Sequence, residues 1–316
     1  MLLLYINTGD SIRRGQWKTF CWKTFRRYFR PWNNLKNRVM EKKGFCWSHV
    51  VAFCLCFLFA PVCYAQEQEE NALICIEKAK EGDPAAQHVL ACCYANGNEL
   101  PQDIAQAVYW WRKSAEQGYA PGQYNLGVCY ERGEGVPQNA KKAVRLYRKS
   151  AEQGYPKAQY NLAICYANGN GVPRDLGQAA LWYVEAASRG MVEAQHNLGI
   201  CYMEGRGFAP NPELAVYWWR LAGEQGDAKA QCNLGICYMV GAGVEKDVDQ
   251  AVSWWRKAAD QGLAEAQYNM GITYENGDGV DKDISEAVRW YRRSADQGYV
   301  KAQVALSRLE RTPQEE

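Results

Sequence analysis

Residues 120–154 read APGQYNLGVCYERGEGVPQNAKKAVRLYRKSAEQG, and this one stretch decides the fold. Gln123, Leu126, Gly127 and Tyr130 are spaced i, i+3, i+4, i+7, one face of a first helix that ends at Gly133. Gly-Glu-Gly-Val-Pro comes next, a turn by composition in which Pro137 cannot continue a helix. Ala143, Tyr147, Ser150 and Ala151 then share one face of a second helix, and Gly154 suits the left-handed position just past its end. The unit reads as an antiparallel helical hairpin.

The hairpin recurs every 36 residues. Gly82, Gly118, Gly154, Gly190, Gly226, Gly262 and Gly298 keep the period, as do Gln87, Gln123, Gln159, Gln195, Gln231, Gln267 and Gln303. Tyr94 to Tyr274 and Ala107 to Ala287 recur in the same register. A fixed period of this length marks a stacked repeat array. Asp83-Pro84 and Asp227 read as N-cap signals for first helices. Gly127, Ala163, Gly199, Gly235 and Gly271 allow a close approach of helices. Trp110, Trp182, Trp218, Trp254 and Trp290, or their neighbours Trp111, Trp219 and Trp255, are expected to fill the space.

The pattern resembles the Sel1-like repeat, a relative of the tetratricopeptide repeat, over about residues 82–310. The resemblance rests on residues 120–154 and on echoes such as AQYNLAICYANGNGVPRD (158–175) and AEAQYNMGITYENGDGVDKD (264–283). The expected fold is all-α: a right-handed α-solenoid of antiparallel helical hairpins, with six repeats over 82–298 and terminal capping helices within 66–81 and 299–316. Solenoids need such caps, because each interior repeat hides its face against its neighbours.

Residues 44–65, GFCWSHVVAFCLCFLFAPVCYA, carry no formal charge and come directly after Met40-Glu41-Lys42-Lys43. A short positive start, an apolar stretch and small residues before the boundary are the parts of a secretory signal peptide, here 40–65 with cleavage after Ala65. The alternative is a membrane anchor over 45–64. Residues 1–39 read as a basic extension upstream of the true start at Met40, or as a polybasic arm on a membrane face. Residues 1–43 hold 11 of the 37 Lys and Arg, and the chain beyond residue 65 carries 26 basic and 33 acidic side chains, a net of −7. That balance argues against a nucleic-acid partner for the repeats. The expected location is exported, periplasmic or secreted, with membrane contact only if the signal segment stays uncleaved.

Of the 3 histidines, His88 and His196 occupy a repeat position that is Tyr124, Tyr160 or Tyr268 elsewhere, so they read as repeat aromatics rather than bases or ligands. No zinc-like Cys/His spacing appears, no cofactor is expected, and the acids read as solvated charge. Secreted cysteine-rich relatives imply an alternative, a β-lactamase-like or cell-wall-fragment-binding activity. The chain lacks Ser-x-x-Lys, Ser-Asp-Asn and Lys-Thr-Gly, which supply the nucleophile and its partners in serine β-lactamases. Cys93, Cys129, Cys165, Cys201 and Cys237 form a ladder of period 36 and read as buried thiols. Cys75 and Cys92 come to similar height across the first turn, where either a disulfide or a plain apolar role for Cys75 fits.

The family resemblance implies a non-enzymatic, monomeric scaffold that binds a protein or peptide segment on the concave face, lined by the first helices. The expected groove is Tyr124, Val128 and Glu131, then Tyr160, Ile164 and Asn168, then His196, Ile200 and Glu204, then Ile236, and finally Tyr268, Ile272 and Glu275. An apolar strip edged by Tyr, Asn and Glu suits an extended or helical segment with apolar anchors. The competing reading makes the Val and Ile residues partly buried core.

Overall fold

Helix starts are written into the loops. Asp103, Asn139, Asp175, Asn211, Asp247 and Asp283 each turn a side-chain oxygen to the backbone N–H three residues on, capping the second helix of a hairpin. Such a cap is worth about 1 kcal/mol. Asp83 and Asp227 do the same for two first helices, accepting from the N–H of Ala86 and Ala230. Each hairpin turn begins at a left-handed glycine such as Gly133, φ 76°, whose N–H bonds the Cys129 carbonyl.

The computed structural model describes residues 73–311. The upstream extension, the signal peptide and the linker before residue 73 lie outside the described residues. Helix α1 covers 73–81. Six hairpins come after it: α2 (Pro84–Asn96) with α3 (Ile104–Glu116), α4 (Ala120–Arg132) with α5 (Ala140–Glu152), and α6 (Pro156–Asn168) with α7 (Leu176–Ser188). Then come α8 (Val192–Glu204) with α9 (Pro212–Glu224), α10 (Ala228–Val240) with α11 (Val248–Asp260), and α12 (Ala264–Asn276) with α13 (Ile284–Asp296). Helix α14 (Val300–Arg311) closes the array. No strand occurs among the described residues. Each second helix packs on its own first helix and on the next one, so the core is a chain of joined clusters rather than one centre.

The small residues admit a ring from the second helix, but only one of the two candidate aromatic rows sits there. Tyr147, Trp219, Trp255 and Tyr291 lie over Gly127, Gly199, Gly235 and Gly271; a Cβ on Gly127 would fall 2.7 Å from Tyr147 Cε1. The row of Trp110, Trp182 and Trp218 is turned one position away. It bridges clusters instead, Trp182 packing against the cores of the second and third hairpins.

Glutamine stitches the layers. Gln123 Nε2 donates to the Ala115 carbonyl at the end of the preceding second helix (3.3 Å), while its Oε1 accepts from Gln153 Nε2 of its own second helix (2.8 Å). The second contact recurs as Gln117–Gln87, Gln225–Gln195, Gln261–Gln231 and Gln297–Gln267, each 2.8 Å. Buried amides paired in this way satisfy polar groups that would otherwise be left dry.

Candidate functional site

The expected groove residues divide into joints, buried supports and open positions. Tyr124 is a joint: its ring lies 5.8 Å from Tyr147 and 5.4 Å from Tyr155, which starts the next first helix. Tyr268 repeats this against Tyr291 and Tyr299. Tyr160 packs on Tyr183 at 5.9 Å. His88 keeps the aromatic contact, 5.7 Å from Tyr119, but His196 does not. Its Nδ1 stands 3.3 Å from Asp227 Oδ1, because the next helix begins there with an acid rather than a ring. Burial alone would raise the Asp227 carboxyl, but the facing His196 ring and the hydrogen bond from the Ala230 N–H outweigh it and hold it below the usual range.

Glu131 and Glu275 are not solvated charge. Tyr147 donates its hydroxyl to Glu131 Oε2 (2.6 Å), and Tyr291 donates to Glu275 Oε2 (2.7 Å). In the last pair Arg308 Nη2 also donates to both oxygens of Glu275, at 2.5 and 2.6 Å. The swap is sequence-encoded: in two of the three hairpins with tryptophan in place of the tyrosine, methionine takes the place of the glutamate, Trp219 with Met203 and Trp255 with Met239. Those indoles donate instead to the carbonyls of His196 and Cys232. Asn168 and Glu204 sit one register position further on and are exposed.

Val128, Ile164, Ile200 and Ile272 are half-buried, and Ile236 is 37% exposed. They form one row along consecutive first helices, each partly packed and partly open. Beside it runs a row that the sequence reading passed over: Asn125, Asn161, Asn197, Asn233 and Asn269, all half-buried. Asn125 Nδ2 reaches Cys92 Sγ (3.8 Å), Asn197 Nδ2 reaches the Tyr160 hydroxyl (3.4 Å), and Asn269 Nδ2 reaches Cys232 Sγ (3.7 Å). Its signal was present in the repeated Gln-Tyr-Asn.

The cysteines are free thiols among the described residues. The disulfide weighed between Cys75 and Cys92 is not formed, since the two face different neighbours. Cys75 Sγ points to the Ala86 carbonyl (3.6 Å), and Cys92 Sγ lies 3.7 Å from His88 Nε2. Burial pushes the ladder thiols up, Cys129, Cys201 and Cys237 to about 11 and Cys165 to about 12, with Cys232 also at about 12. Thiols so held are poor nucleophiles at neutral pH.

One cavity opens beside the row, about 380 Å³, between the end of α6, the start of α7 and α8. Ala167, Leu176, Ala179, Ile200 and Cys201 give it apolar walls; Tyr183, Asn168, Asn197, Arg174 and Arg206 supply polar groups.

Six consecutive segments, 84–119, 120–155, 156–191, 192–227, 228–263 and 264–299, match the family described as Sel1 repeat. The chain is a Sel1 repeat protein. Among solved Sel1 repeat structures, it is similar to c5321, described as a protective antigen present in uropathogenic Escherichia coli strains displaying an SLR fold. The identity is 37% and the TM-score 0.71, over 75% of this chain and 51% of that one. This Sel1 repeat chain thus spans about half the length of that protein. It is also similar to a Sel1 repeat protein from Oxalobacter formigenes, at 32% identity and a TM-score of 0.61, over 71% of this chain and 96% of that one. A comparison with the sequences of curated proteins finds no match. A Sel1 repeat scaffold fits a protein-interaction role, and such scaffolds are generally non-catalytic.

Proposed function

We propose that the chain is an exported scaffold that binds a protein or peptide segment across its first helices and catalyses no reaction. The observation that carries this reading is the row Val128, Ile164, Ile200, Ile236 and Ile272, five β-branched residues left partly open in consecutive hairpins. A segment laid along them covers apolar surface at about 25 cal/mol per Å². The flanking asparagines offer both a donor and an acceptor to its backbone.

The test replaces Val128, Ile164 and Ile236 by serine together, leaving Tyr124 and Tyr160 in place as joints. In vivo cross-linking of the wild type yields a specific adduct, and the triple variant loses it while circular dichroism stays helical. An adduct retained at full yield overturns the assignment of the face. Turnover of a chromogenic β-lactam by the purified protein overturns the non-catalytic reading.

A further inference from the structure

Three of the six hairpins place a tyrosine rather than a tryptophan over the small residue of the first helix, and two of them supply a carboxylate for its hydroxyl: Glu131 for Tyr147 and Glu275 for Tyr291. The third hairpin departs from the rule. Tyr183 stands in the same place, but position 167 is Ala, so the chain brings no acid of its own to that point. The first hairpin has the equally small Ala95, but sets it against the larger indole of Trp111. Only in the third does a short residue meet a tyrosine, and there the 380 Å³ cavity opens, within the range of small-ligand sites at about 300–1,000 Å³.

The cavity also gathers positive charge. Arg174 comes from the hairpin turn and donates Nε to the Ala167 carbonyl (3.0 Å), which fixes its guanidinium at the mouth and leaves its terminal nitrogens without another partner among the described residues. Arg206 enters from the loop after α8, paired through Nε with Glu204 in an exposed contact that contributes little. Asn197 stands between Tyr160 and Tyr183. Guanidinium, amide and phenol donors around an apolar pocket form an acceptor-seeking set, and planar guanidinium matches a carboxylate in two parallel hydrogen bonds.

We propose that this pocket receives a carboxylate delivered by a partner, held by Tyr183, Arg174 and Arg206 as the chain holds Glu275 with Tyr291 and Arg308. The proposal rests on the scaffold reading, since Ile200 and Asn197 belong both to the pocket and to the partner face. It adds the chemistry of the partner: an acidic group on a short apolar arm. A glutamate side chain and the C-terminus of a peptide both provide that group.

The test uses small probes on the purified full chain, followed by the Nε–Hε resonances of Arg174 and Arg206. N-acetyl-glutamate amide carries the side-chain acid, N-acetyl-Ala-Ala with a free terminus carries the chain-end acid, and N-acetyl-glutamine amide is the neutral control. At least one acidic probe gives saturable shifts, and which one identifies the source; the neutral probe gives none. Ala167→Glu places the chain's own carboxylate in the pocket and lowers acid-probe affinity at least tenfold with helicity unchanged. Should that variant lose helicity, the pair Arg174→Gln and Arg206→Gln replaces it, with a loss of at least fivefold expected. Equal shifts from the neutral probe, silence from both acids, or unchanged affinity in the folded variant overturns the proposal. No partner enters these titrations, so failure here leaves the cross-linking result standing, and failure of cross-linking leaves the titrations standing.

Discussion

Arg189 stands 30 residues after Gln159, where the other five hairpins place a glutamine, and the buried Gln159 Oε1 has no hydrogen-bond partner. Arg189 turns away instead and pairs with Glu185 across 2.7 Å at the surface. The acceptor is left dry while its Nε2 still donates to the Ala151 carbonyl at 3.1 Å.

Restoring the rung stabilises the protein. Arg189→Gln gives Gln159 the donor that Gln123 already has, a gain of about 1 kcal/mol, against an exposed i,i+4 pair worth about 0.3–0.5 kcal/mol. Thermal unfolding shifts upward by a degree or two. The reverse change, Gln153→Ala, orphans Gln123 and lowers stability by about 1–3 kcal/mol. A variant pair that melts with the wild type removes the ladder from the account of stability.

Clearance sets tolerance at the close approaches. Gly235→Ala drives a methyl into the Trp255 indole and costs about 1–3 kcal/mol. Gly127→Ala costs less, because the added methyl falls 2.7 Å from the Tyr147 ring against 2.3 Å from the Trp255 indole; the third hairpin already carries Ala163 opposite Tyr183. Adding Trp255→Tyr to Gly235→Ala recovers part of the loss. Urea unfolding of the three variants gives the order.

Alkali weakens the fold through its thiols. A free thiol titrates near 8.5, and burial holds Cys129, Cys201 and Cys237 up at about 11. Above that lower value the unfolded chain has lost protons that the folded chain keeps, so stability is full below about pH 8.5 and falls by up to about 1.4 kcal/mol per pH unit for each thiol until the folded value is passed. Burial moves Tyr147, Tyr183 and Tyr291 in the same direction. Melting temperature measured from pH 7 to 11 should fall. With a maleimide at pH 8, Cys75, Cys92 and Cys93 react before the buried thiols, and the denatured chain from Cys75 onward shows eight free thiols; six would indicate a disulfide.

Export predicts a mature N-terminus at Gln66. Fractionation and N-terminal sequencing of the natural protein check it. An intact Met1 or Met40 in the membrane fraction would replace cleavage by anchoring.

Repetition made the fold legible. Gly133, Pro137 and Gly154 bound two helices in one unit, and a constant 36-residue period carried those bounds through the array. The face of each residue was harder to read, because neighbouring positions on a helix differ by about 100°, so Trp110 and Trp111 look alike in sequence yet point to different partners. The same ambiguity placed Glu131 and Asn168 in one row although they are 37 residues apart. The pocket escaped notice for another reason. Its signal is a missing side chain at Ala167, visible only once Tyr147–Glu131 and Tyr291–Glu275 are seen as pairs.

The third hairpin gathers two of these departures: no glutamine at Arg189 and no acid at Ala167. In a linear array each unit is held only by its neighbours, so compliance concentrates in the least-tied turn, as a spring bends at its softest coil. Filling that turn from outside would stiffen the whole spring and change the curvature that the remaining hairpins present.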